Sequence, residues 1–299
     1  MSFSFDTKNE LCKLPVQKLC CARAEAYGIL LYCNTFSSTE VRLITENTNF
    51  AARLPKLFHR AFGLQFDRQP EPEQLGKLVF QITERQKLDH IINTLGFSPS
   101  QNLVLHINFA MLEEECCRAA FLRGVFFAGG SITDPLKRYH LELATSHVQV
   151  SRELETLLQE CQFSPKNIVR NGNCTTYFKQ SEHIEDFLTL IGAPVAAMDV
   201  MAAKMEKDLR NSVNRRLNCD CANSDKTVEA AHEQLAAIRK LRERGLMEQL
   251  PDKLQQTAAL RLENPELTLN ELAEEFDPVI TKSCLNHRLR KLLSLAEGL

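Results

Sequence analysis

The sequence predicts an α+β protein, in which a duplicated αβαββα domain at 1–192 is followed by a helical linker at 193–246 and an all-α domain at 247–299. Two observations lead to this prediction. One order of helix and strand patterns occurs twice in the first part, and the remaining chain has helical periodicity only. A chain of 299 residues is long enough for two domains and a connector.

Composition and charge limit the classes of protein. The chain is 44% hydrophobic and 25% charged, which is typical of a folded globular protein. Its formal net charge of -2 provides no overall cationic field, so affinity for nucleic acid has to come from local basic clusters. No apolar run approaches the ~18 residues of a membrane span, and residues 1–14 lack the apolar core of a signal peptide. We therefore expect a cytoplasmic protein without a membrane partner.

The eleven cysteines favour the same compartment. Several lie in apolar stretches, as buried reduced thiols do, among them Cys20, Cys21, Cys33, Cys116 and Cys117. Cys219 and Cys221 form a Cys-x-Cys pair, but no second pair with ligand spacing accompanies it. The sequence therefore predicts neither a metal site nor a cofactor.

The first copy of the repeat occupies about 19–97 and begins with an apolar helix at 19–33. The patterns that follow are a strand at 41–46, a helix at 50–62, strands at 64–69 and 77–83, and a helix at 84–95. This order is αβαββα.

The second copy occupies about 116–192 and begins with a helix at 116–128. A strand at 139–145, a helix at 146–161, strands at 166–171 and 175–180, and a helix at 182–190 follow. The last two strands are joined at Asn171-Gly172-Asn173, a sequence typical of a hairpin turn.

Each copy carries a glycine at the same place in its first helix. Aligning Gly28 with Gly124 superimposes 26–34 on 122–130. Glycine inside a helix costs about 1 kcal/mol relative to alanine, so two glycines at matching positions predict that the helices pack at close range. The two copies would then be related by a pseudo-two-fold axis.

This arrangement resembles the LAGLIDADG fold of homing endonucleases, in which two such helices meet at the centre and two small sheets form a DNA-binding saddle. In that family an acid at the eighth motif position holds the catalytic metal, and the equivalent residues here are Cys33 and Gly129. Neither offers a carboxylate oxygen for Mg²⁺ or for two-metal nuclease chemistry. We therefore predict lost catalytic positions and a protein that is not an enzyme, with a residual metal-dependent endonuclease as the alternative.

The saddle can be assessed from strand parity, because alternate residues face the same side of a sheet. In the first copy the charges on this face cancel: Arg42, Glu46, Asp67 and Lys77. In the second copy there is a modest positive excess, formed by Glu142, Lys166, Arg170 and Lys179, with Tyr177 among them. Lys166, Arg170 and Lys179 are predicted auxiliary DNA contacts. A partner-binding or architectural role fits the same pattern.

The linker contains a basic stretch at 204–216, with five basic and two acidic residues. Such a charge run is typical of a solvated helix face. The alternative is an arm that contacts phosphates through Arg210, Arg215 and Arg216. A helix is predicted at 195–209, and an amphipathic helix at 227–244 ends at Gly245.

The last domain has the pattern of a helix-turn-helix. Pro251 is expected at the first position of a helix that reaches Glu263. Thr268 and Glu271 have the spacing of a capping box at the start of a second helix, 269–276. After the break at Asp277-Pro278, a third helix begins near residue 281.

The third helix is the candidate DNA reader, because residues 281–292 contain four cationic side chains and no acid. Leu285, Leu289 and Leu292 form its apolar stripe, with Cys284 beside them. The predicted DNA-binding residues are Thr281, Lys282, Ser283, Asn286, His287, Arg288, Arg290 and Lys291. Asparagine reads adenine and arginine reads guanine, whereas serine and lysine bind the backbone.

The two domains together resemble the WhiA family of bacterial transcription and cell-division regulators, which join a degenerate LAGLIDADG-like domain to a helix-turn-helix. The most specific segments are 122–135 with 139–142, 218–223, and 283–291. One departure is Cys284-Leu285, where the family usually has Gly-Val; both residues are expected on or near the packed side, so base reading should change little.

The resemblance implies a nucleoid-associated DNA-binding regulator linked to transcription, chromosome segregation, cell division or sporulation. Double-stranded DNA is the predicted partner. A protein-interaction scaffold that contacts RNA polymerase or another regulator is the remaining alternative.

Overall fold

The computed structural model describes residues 2–71, 74, 76–97, 103–170 and 172–298. These residues form two compact units, Met1–Asp208 and Leu209–Leu299. None of the described helices is long and apolar enough to cross a membrane.

The first half of the first unit begins with a helix that the sequence patterns did not predict, α1 (Phe3–Cys12). The elements that follow are α2 (Leu19–Tyr32), β1 (Thr35–Phe36), β2 (Val41–Thr45), α3 (Thr48–Phe62), β3 (Leu78–Ile82) and α4 (Arg85–Thr94). The Asn47 side chain accepts a hydrogen bond from the Phe50 N–H (2.8 Å) and so starts α3. Gly63, with a φ of 71°, ends it in the left-handed conformation.

The second half follows a short 3₁₀ helix, Phe109–Leu112. Its elements are α5 (Glu115–Gly129), β4 (Gly130–Ile132), β5 (Leu141–Thr145), α6 (Val148–Glu160), β6 (Lys166–Arg170), β7 (Asn173–Phe178) and α7 (Ser181–Ile191). The predicted turn at 171–173 includes Asn171, which lies outside the described residues.

Each half contains one antiparallel sheet, with the strand orders β1-β2-β3 and β4-β5-β7-β6. The predicted order αβαββα is wrong in one respect, because a short extra strand follows each central helix: β1 follows α2, and β4 follows α5. Strands of two or three residues are too short to produce an alternating pattern.

The predicted strand at 64–69 is also wrong. Only Arg68 forms an isolated bridge, with Gln81 of β3. Backbone pairing with β3 is confined to Gln81, whose carbonyl accepts from the N–H groups of Asp67 (2.9 Å) and Arg68 (3.2 Å). The Asp67 carboxylate accepts hydrogen bonds from the N–H groups of Thr83 (2.6 Å) and Glu84 (2.8 Å). Asp67 therefore holds the start of α4, and the chain does not run on along the sheet edge.

The helices α2 and α5 form the centre of the unit, and they confirm the prediction made from the matched glycines. A Cβ atom on Gly28 would lie 2.2 Å from the Phe121 carbonyl oxygen. A Cβ atom on Gly124 would lie 2.1 Å from the Glu25 carbonyl oxygen. Only glycine permits this approach. Each glycine lies against the backbone of the other helix, as expected for two helices related by a pseudo-two-fold axis.

A buried carboxylate lies beside this crossing. Glu25 of α2 accepts hydrogen bonds from Arg53 Nε (2.6 Å) and from Arg123 Nε (2.8 Å). Arg53 also donates to the Leu14 carbonyl (2.5 Å), and Arg123 donates to the Ile191 carbonyl (3.0 Å). The cluster therefore joins α2, α3 and α5 to the end of α7. The buried carboxylate and both guanidinium groups all have hydrogen-bond partners.

The predicted burial of the thiols is wrong for Cys20, which is exposed. It lies in the first turn of α2, where the side chain projects from the end of the helix. Cys21, Cys33 and Cys116 are half-buried, and Cys117 is buried.

The helix α8 (Pro194–Glu243) replaces the separately predicted helices at 195–209 and 227–244. It is followed by a 3₁₀ turn at Met247–Gln249, α9 (Asp252–Glu263), α10 (Leu269–Glu274) and α11 (Lys282–Glu297). The core of the second unit is apolar and includes the end of α8; its members are Ala237, Ile238, Leu241, Ala258, Leu272, Ala273, Phe276, Leu285, Leu289, Leu292 and Ala296.

Candidate nucleic-acid interface

The caps of the second unit fix where its helices begin. The predicted capping box is confirmed: Thr268 Oγ1 accepts from the Glu271 N–H (3.4 Å), and Glu271 Oε2 accepts from the Thr268 N–H (2.8 Å). The bond from the Thr268 N–H lowers the pKa of Glu271. Pro251 is the N-cap of α9 and not its first helical residue, because its extended ψ of 142° lies outside the helical range.

Thr281 caps α11, since its hydroxyl oxygen accepts a hydrogen bond from the Cys284 N–H (3.2 Å). Lys282 and Ser283 follow in the first turn and are exposed. The N-terminus of a helix carries a partial positive charge and unpaired N–H groups, which together suit a phosphate. The start of α11 therefore combines a lysine, a hydroxyl and the helix dipole at one exposed end.

The two faces of α11 have opposite character. Leu285, Leu289 and Leu292 are buried in the core. Ser283, His287 and Arg290 are exposed, and their spacing places them on the side of the helix away from the core. Lys282 and Lys291 are exposed as well, whereas Asn286 is half-buried. The first acid of the helix is Glu297.

Arg288 occupies a different position from the other cationic residues of α11. Its guanidinium carbon lies 5.5 Å from the ring centroid of Phe276, and its side chain is half-buried. This cation–π contact joins α11 to the end of α10. Arg288 therefore helps to hold α11 against α10, in addition to providing a positive charge.

Cys284, predicted on or near the packed side, is exposed and lies beside the leucine stripe, not in the core. Each helical residue turns the side chain by about 100°, and the one-residue step from Leu285 carries Cys284 out of the core stripe. Of the two residues that depart from the family pattern, only Leu285 is packed.

A surface depression near the start of α11 contains residues that the sequence patterns missed. Its lining includes Lys226, Thr268, Asn270 and Lys282. The buried Arg261 also reaches it, and its Nε has no hydrogen-bond partner among the described residues. Lys226 is far from α11 in sequence, so no local pattern associates these residues.

In the second-half sheet, the strand register confirms that several predicted residues share one face. Tyr177 stands opposite both Glu142 and Lys166. Glu142 accepts a hydrogen bond from Ser131 Oγ (3.0 Å) and lies 3.2 Å from His140 Nε2. Its carboxylate is thus held within the sheet.

The cationic residues of that sheet remain at the surface. Lys166, Arg170 and Lys179 are exposed. The Lys179 ammonium lies 5.3 Å from the ring centroid of Tyr177. This face therefore offers three cations and an aromatic ring, while the opposite face of β5 and β7 packs in the core through Leu141, Leu143 and Phe178.

In the first half, Asp67 does not belong to a free polar face of the sheet. Besides capping α4, its Oδ1 lies 2.5 Å from Lys87 Nζ. Partial burial opposes ionisation, but the hydrogen bonds from Lys87 and from the backbone N–H groups of Thr83 and Glu84 lower the pKa of Asp67 to about 2. Arg42 is exposed in the row formed by Thr35, Arg42 and Gln81.

The basic stretch of α8 is only partly available to a ligand. Lys204 forms an ion pair with Glu182. Lys207 donates to the Pro135 carbonyl (2.6 Å) and lies 4.2 Å from the ring centroid of Tyr139. The predicted auxiliary contacts of this helix, Arg210, Arg215 and Arg216, are exposed.

Cys33 and Gly129, which correspond to the catalytic acids of the homing endonucleases, do not lie in a metal-binding environment. Cys33 Sγ lies 3.1 Å from the carbonyl oxygens of both Leu30 and Thr35. A Cβ atom on Gly129 would lie 2.4 Å from Tyr32 Cδ1, which leaves no space for a carboxylate. Among the described residues, no group of three or more carboxylate or histidine side chains lies close enough to share an ion.

These features define a protein that joins a LAGLIDADG-like domain to a helix-turn-helix domain. Residues 118–210 match the family described as the WhiA LAGLIDADG-like domain, and residues 213–296 match the WhiA C-terminal HTH domain. The chain belongs to the WhiA family, which confirms the resemblance and the fold class inferred from the sequence.

Full-length relatives support this membership. The probable cell division protein WhiA of Ruminiclostridium cellulolyticum is 35% identical over 305 residues, which cover 99% of this chain and 97% of that protein. The protein of the same name from Carboxydothermus hydrogenoformans is 36% identical over 303 residues, with coverage of 99% and 97%. The crystal structure of full-length DUF199/WhiA from Thermatoga maritima has a TM-score of 0.61 at 22% identity and covers 100% of this chain and 99% of that one.

Proposed function

We propose that the protein is a sequence-specific regulator of transcription that binds double-stranded DNA through α11. The observation that carries this proposal is the exposed face of Ser283, His287 and Arg290 opposite the buried leucine stripe. No acid stands between Lys282 and Ala296 to repel phosphates. A helix with this charge distribution fits the major groove, which is about 12 Å wide.

The exposed residues of α11 span the length of a few base pairs. At a rise of 1.5 Å per residue, Ser283 and Arg290 are separated by roughly 10 Å along the helix axis. That distance corresponds to about three base pairs at 3.4 Å each. Asn286 and Arg290 are the residues assigned to base edges, and His287 lies between them.

Phosphate contacts would fix the helix in the groove. Thr281, Lys282, Ser283 and Lys291 are suited to this role because they are exposed at the start and on the flank of α11. Lys226 and Asn270 add polar groups near the same end. Arg288 contributes charge while its contact with Phe276 keeps α11 in position.

The LAGLIDADG-like domain has an auxiliary role in this proposal. Lys166, Arg170 and Lys179 are exposed on one sheet and would add a few phosphate contacts, as would Arg210, Arg215 and Arg216 of α8. With Cys33 and Gly129 in place of the acids, the protein binds DNA without cleaving it. The relatives are named probable cell division proteins, which supports a role in cell division. A cytoplasmic, nucleoid-associated location and a part in chromosome segregation or sporulation complete the proposal, and they rest on the family resemblance alone.

The test begins with genome-wide mapping of bound sites, followed by fluorescence anisotropy on the enriched duplex. Removal of residues 250–299 should abolish specific binding. Lys282→Ala should weaken binding on every sequence and reduce the slope of log K against log salt by about 1. Arg85→Ala is the matched control, because Arg85 is an exposed cation on α4 that pairs with Asp89.

Three results would contradict the proposal. Unchanged affinity after the truncation would remove α11 from the interface. Chelator-sensitive cleavage of a plasmid in Mg²⁺ or Mn²⁺ would restore the endonuclease alternative. Retention of a protein partner after nuclease treatment, without any specific DNA binding, would favour the scaffold that contacts RNA polymerase or another regulator.

A further inference from the structure

We infer that Cys20, Cys21, Cys116 and Cys117 form a binding site for a thiophilic divalent cation of the zinc class. Their four sulfur atoms all lie within 4.8 Å of one another. Neither the DNA-binding proposal nor the packing of α2 against α5 at the glycines uses these thiols. Four cysteine side chains at this spacing, once deprotonated, are a ligand set for zinc.

The site arises from the internal symmetry of the first unit. Cys20 and Cys21 stand eight and seven residues before Gly28, and Cys116 and Cys117 stand eight and seven residues before Gly124. Each Cys-Cys pair lies in the first turn of its helix. Because α2 and α5 approach closely and are related by the pseudo-two-fold axis, the two pairs converge at one place.

The distances fit a single tetrahedral ion. A zinc–sulfur bond of about 2.3 Å requires sulfur atoms about 3.8 Å apart in a tetrahedron. The Sγ atoms of Cys20 and Cys21 are 3.9 Å apart. The remaining pairs need only a small contraction from at most 4.8 Å, which rotation of the side chains can supply. An iron–sulfur cluster needs space for several irons and sulfides between its thiolates, and this spacing leaves none.

The electrostatic surroundings favour thiolates once a cation is present. Neither α2 nor α5 has a side-chain hydrogen bond at its N-cap, so the positive end of each helix dipole faces the sulfurs. Glu114 and Glu115 add negative charge at the start of α5, which attracts a cation. Zinc binds cysteine as the thiolate, so binding would release protons.

The ligand set also indicates what the ion would do. Four protein ligands close the coordination shell and leave no position for a substrate, as in structural zinc sites. The bound ion would join the first turn of α2 to the first turn of α5. It would thus act on the stability of the central helix pair and not on DNA chemistry.

The experiment uses the full-length protein, reduced with a phosphine and titrated with Co²⁺ as a spectroscopic substitute for zinc. We expect one equivalent of Co²⁺ per chain, with the sulfur-to-cobalt charge-transfer and visible absorption of a tetrahedral tetrathiolate, and displacement by Zn²⁺. The double substitution Cys20→Ser with Cys116→Ser removes one ligand from each half and should abolish this spectrum. Cys219→Ser with Cys221→Ser is the matched control, because it removes two exposed thiols from α8 and should leave the spectrum unchanged.

A second measurement separates loss of ligands from loss of folding. Zinc should protect Cys20, Cys21 and Cys116 of the native wild-type protein from alkylation, because these three of the four thiols are not buried, and a chelator should restore their reactivity. Absence of a thiolate spectrum in the wild-type protein would overturn the inference, as would equal loss in the control variant. Protection that resists the chelator but yields to a reductant would identify disulfides between the helices and also overturn it.

Discussion

Gly28 of α2 and Gly124 of α5 lie against each other's backbones. A Cβ atom on Gly28 would lie 2.8 Å from the Val125 nitrogen, and a Cβ atom on Gly124 would lie 3.0 Å from the Ile29 nitrogen. Both neighbouring atoms belong to helical backbone, which cannot move aside as a flexible side chain would. The two helices can therefore remain at this distance only if both residues are glycine.

Substitution of either glycine should separate the helices. Gly28→Ala and Gly124→Ala gain about 1 kcal/mol in helix propensity, but overpacking costs typically 1–3 kcal/mol and more against rigid backbone. We expect a net loss in the free energy of unfolding, measured by urea denaturation. Gly298→Ala is the control, since its nearest contact would be 3.9 Å away. Equal stability of the variants and the wild type would mean that the helices do not touch at these residues.

Neutralising Glu25 should destabilise the first unit strongly. Its side chain is 2% exposed and faces two guanidinium groups. Removing one partner of a buried ion pair leaves an uncompensated charge and costs about 3–5 kcal/mol. Glu25→Gln should therefore lower the urea midpoint, whereas Asp89→Asn, which breaks the exposed pair with Arg85, should change stability by at most about 0.5 kcal/mol. Similar effects of the two substitutions would contradict the burial of Glu25.

Asp67 should make the first unit sensitive to acid. Its pKa is lowered from 3.8 to about 2. A carboxyl group with a depressed native pKa stabilises the fold above its unfolded pKa, and this contribution is lost as the pH falls from about 4 towards 2. Asp67→Asn should lower stability by about 1 kcal/mol at pH 7, after allowance for its partial exposure, and should remove that part of the acid dependence. Thermal unfolding at a series of pH values measures both effects.

Arg290 and Arg288 should affect DNA binding for different reasons. Arg290→Ala removes an exposed side chain and should weaken specific binding by about 1–3 kcal/mol and relax base preference at one position, with unchanged thermal stability. Arg288→Ala should also weaken binding, but with a loss of about 0.5–1 kcal/mol of stability from the contact with Phe276. Anisotropy on matched and mutated duplexes, combined with melting curves, distinguishes the two residues.

The sequence predicted the features that depend on local periodicity. The leucine stripe of α11 and the capping box at Thr268 follow from the spacing of a few neighbouring residues, and the close approach at Gly28 follows from the internal repeat that aligns it with Gly124. Features made by distant residues left no such pattern. The ion pair between Glu25 and Arg123 and the grouping of Lys226 with Lys282 depend on the folded chain.

The four cysteines at the starts of α2 and α5 are an intermediate case, because the sequence shows that they match but not that they meet. Extending the glycine alignment towards the N-terminus superimposes Cys20 and Cys21 on Cys116 and Cys117. Adjacent cysteines, however, do not have the Cys-x-x-Cys spacing by which a single zinc-binding segment is recognised. The two Cys-Cys pairs form a group of four sulfur atoms only because the folded chain brings the starts of α2 and α5 together.

The end of α8 is part of the core of the helix-turn-helix unit. Ile238 and Leu241 are packed among the helix-turn-helix residues, and Lys240 Nζ donates to the Ala296 carbonyl at the end of α11 (3.0 Å). A fragment that starts at residue 247 would expose the apolar surface that these side chains cover and would aggregate or melt easily. To transplant the helix-turn-helix with α11 into another protein, the last turns of α8 have to be transferred with it.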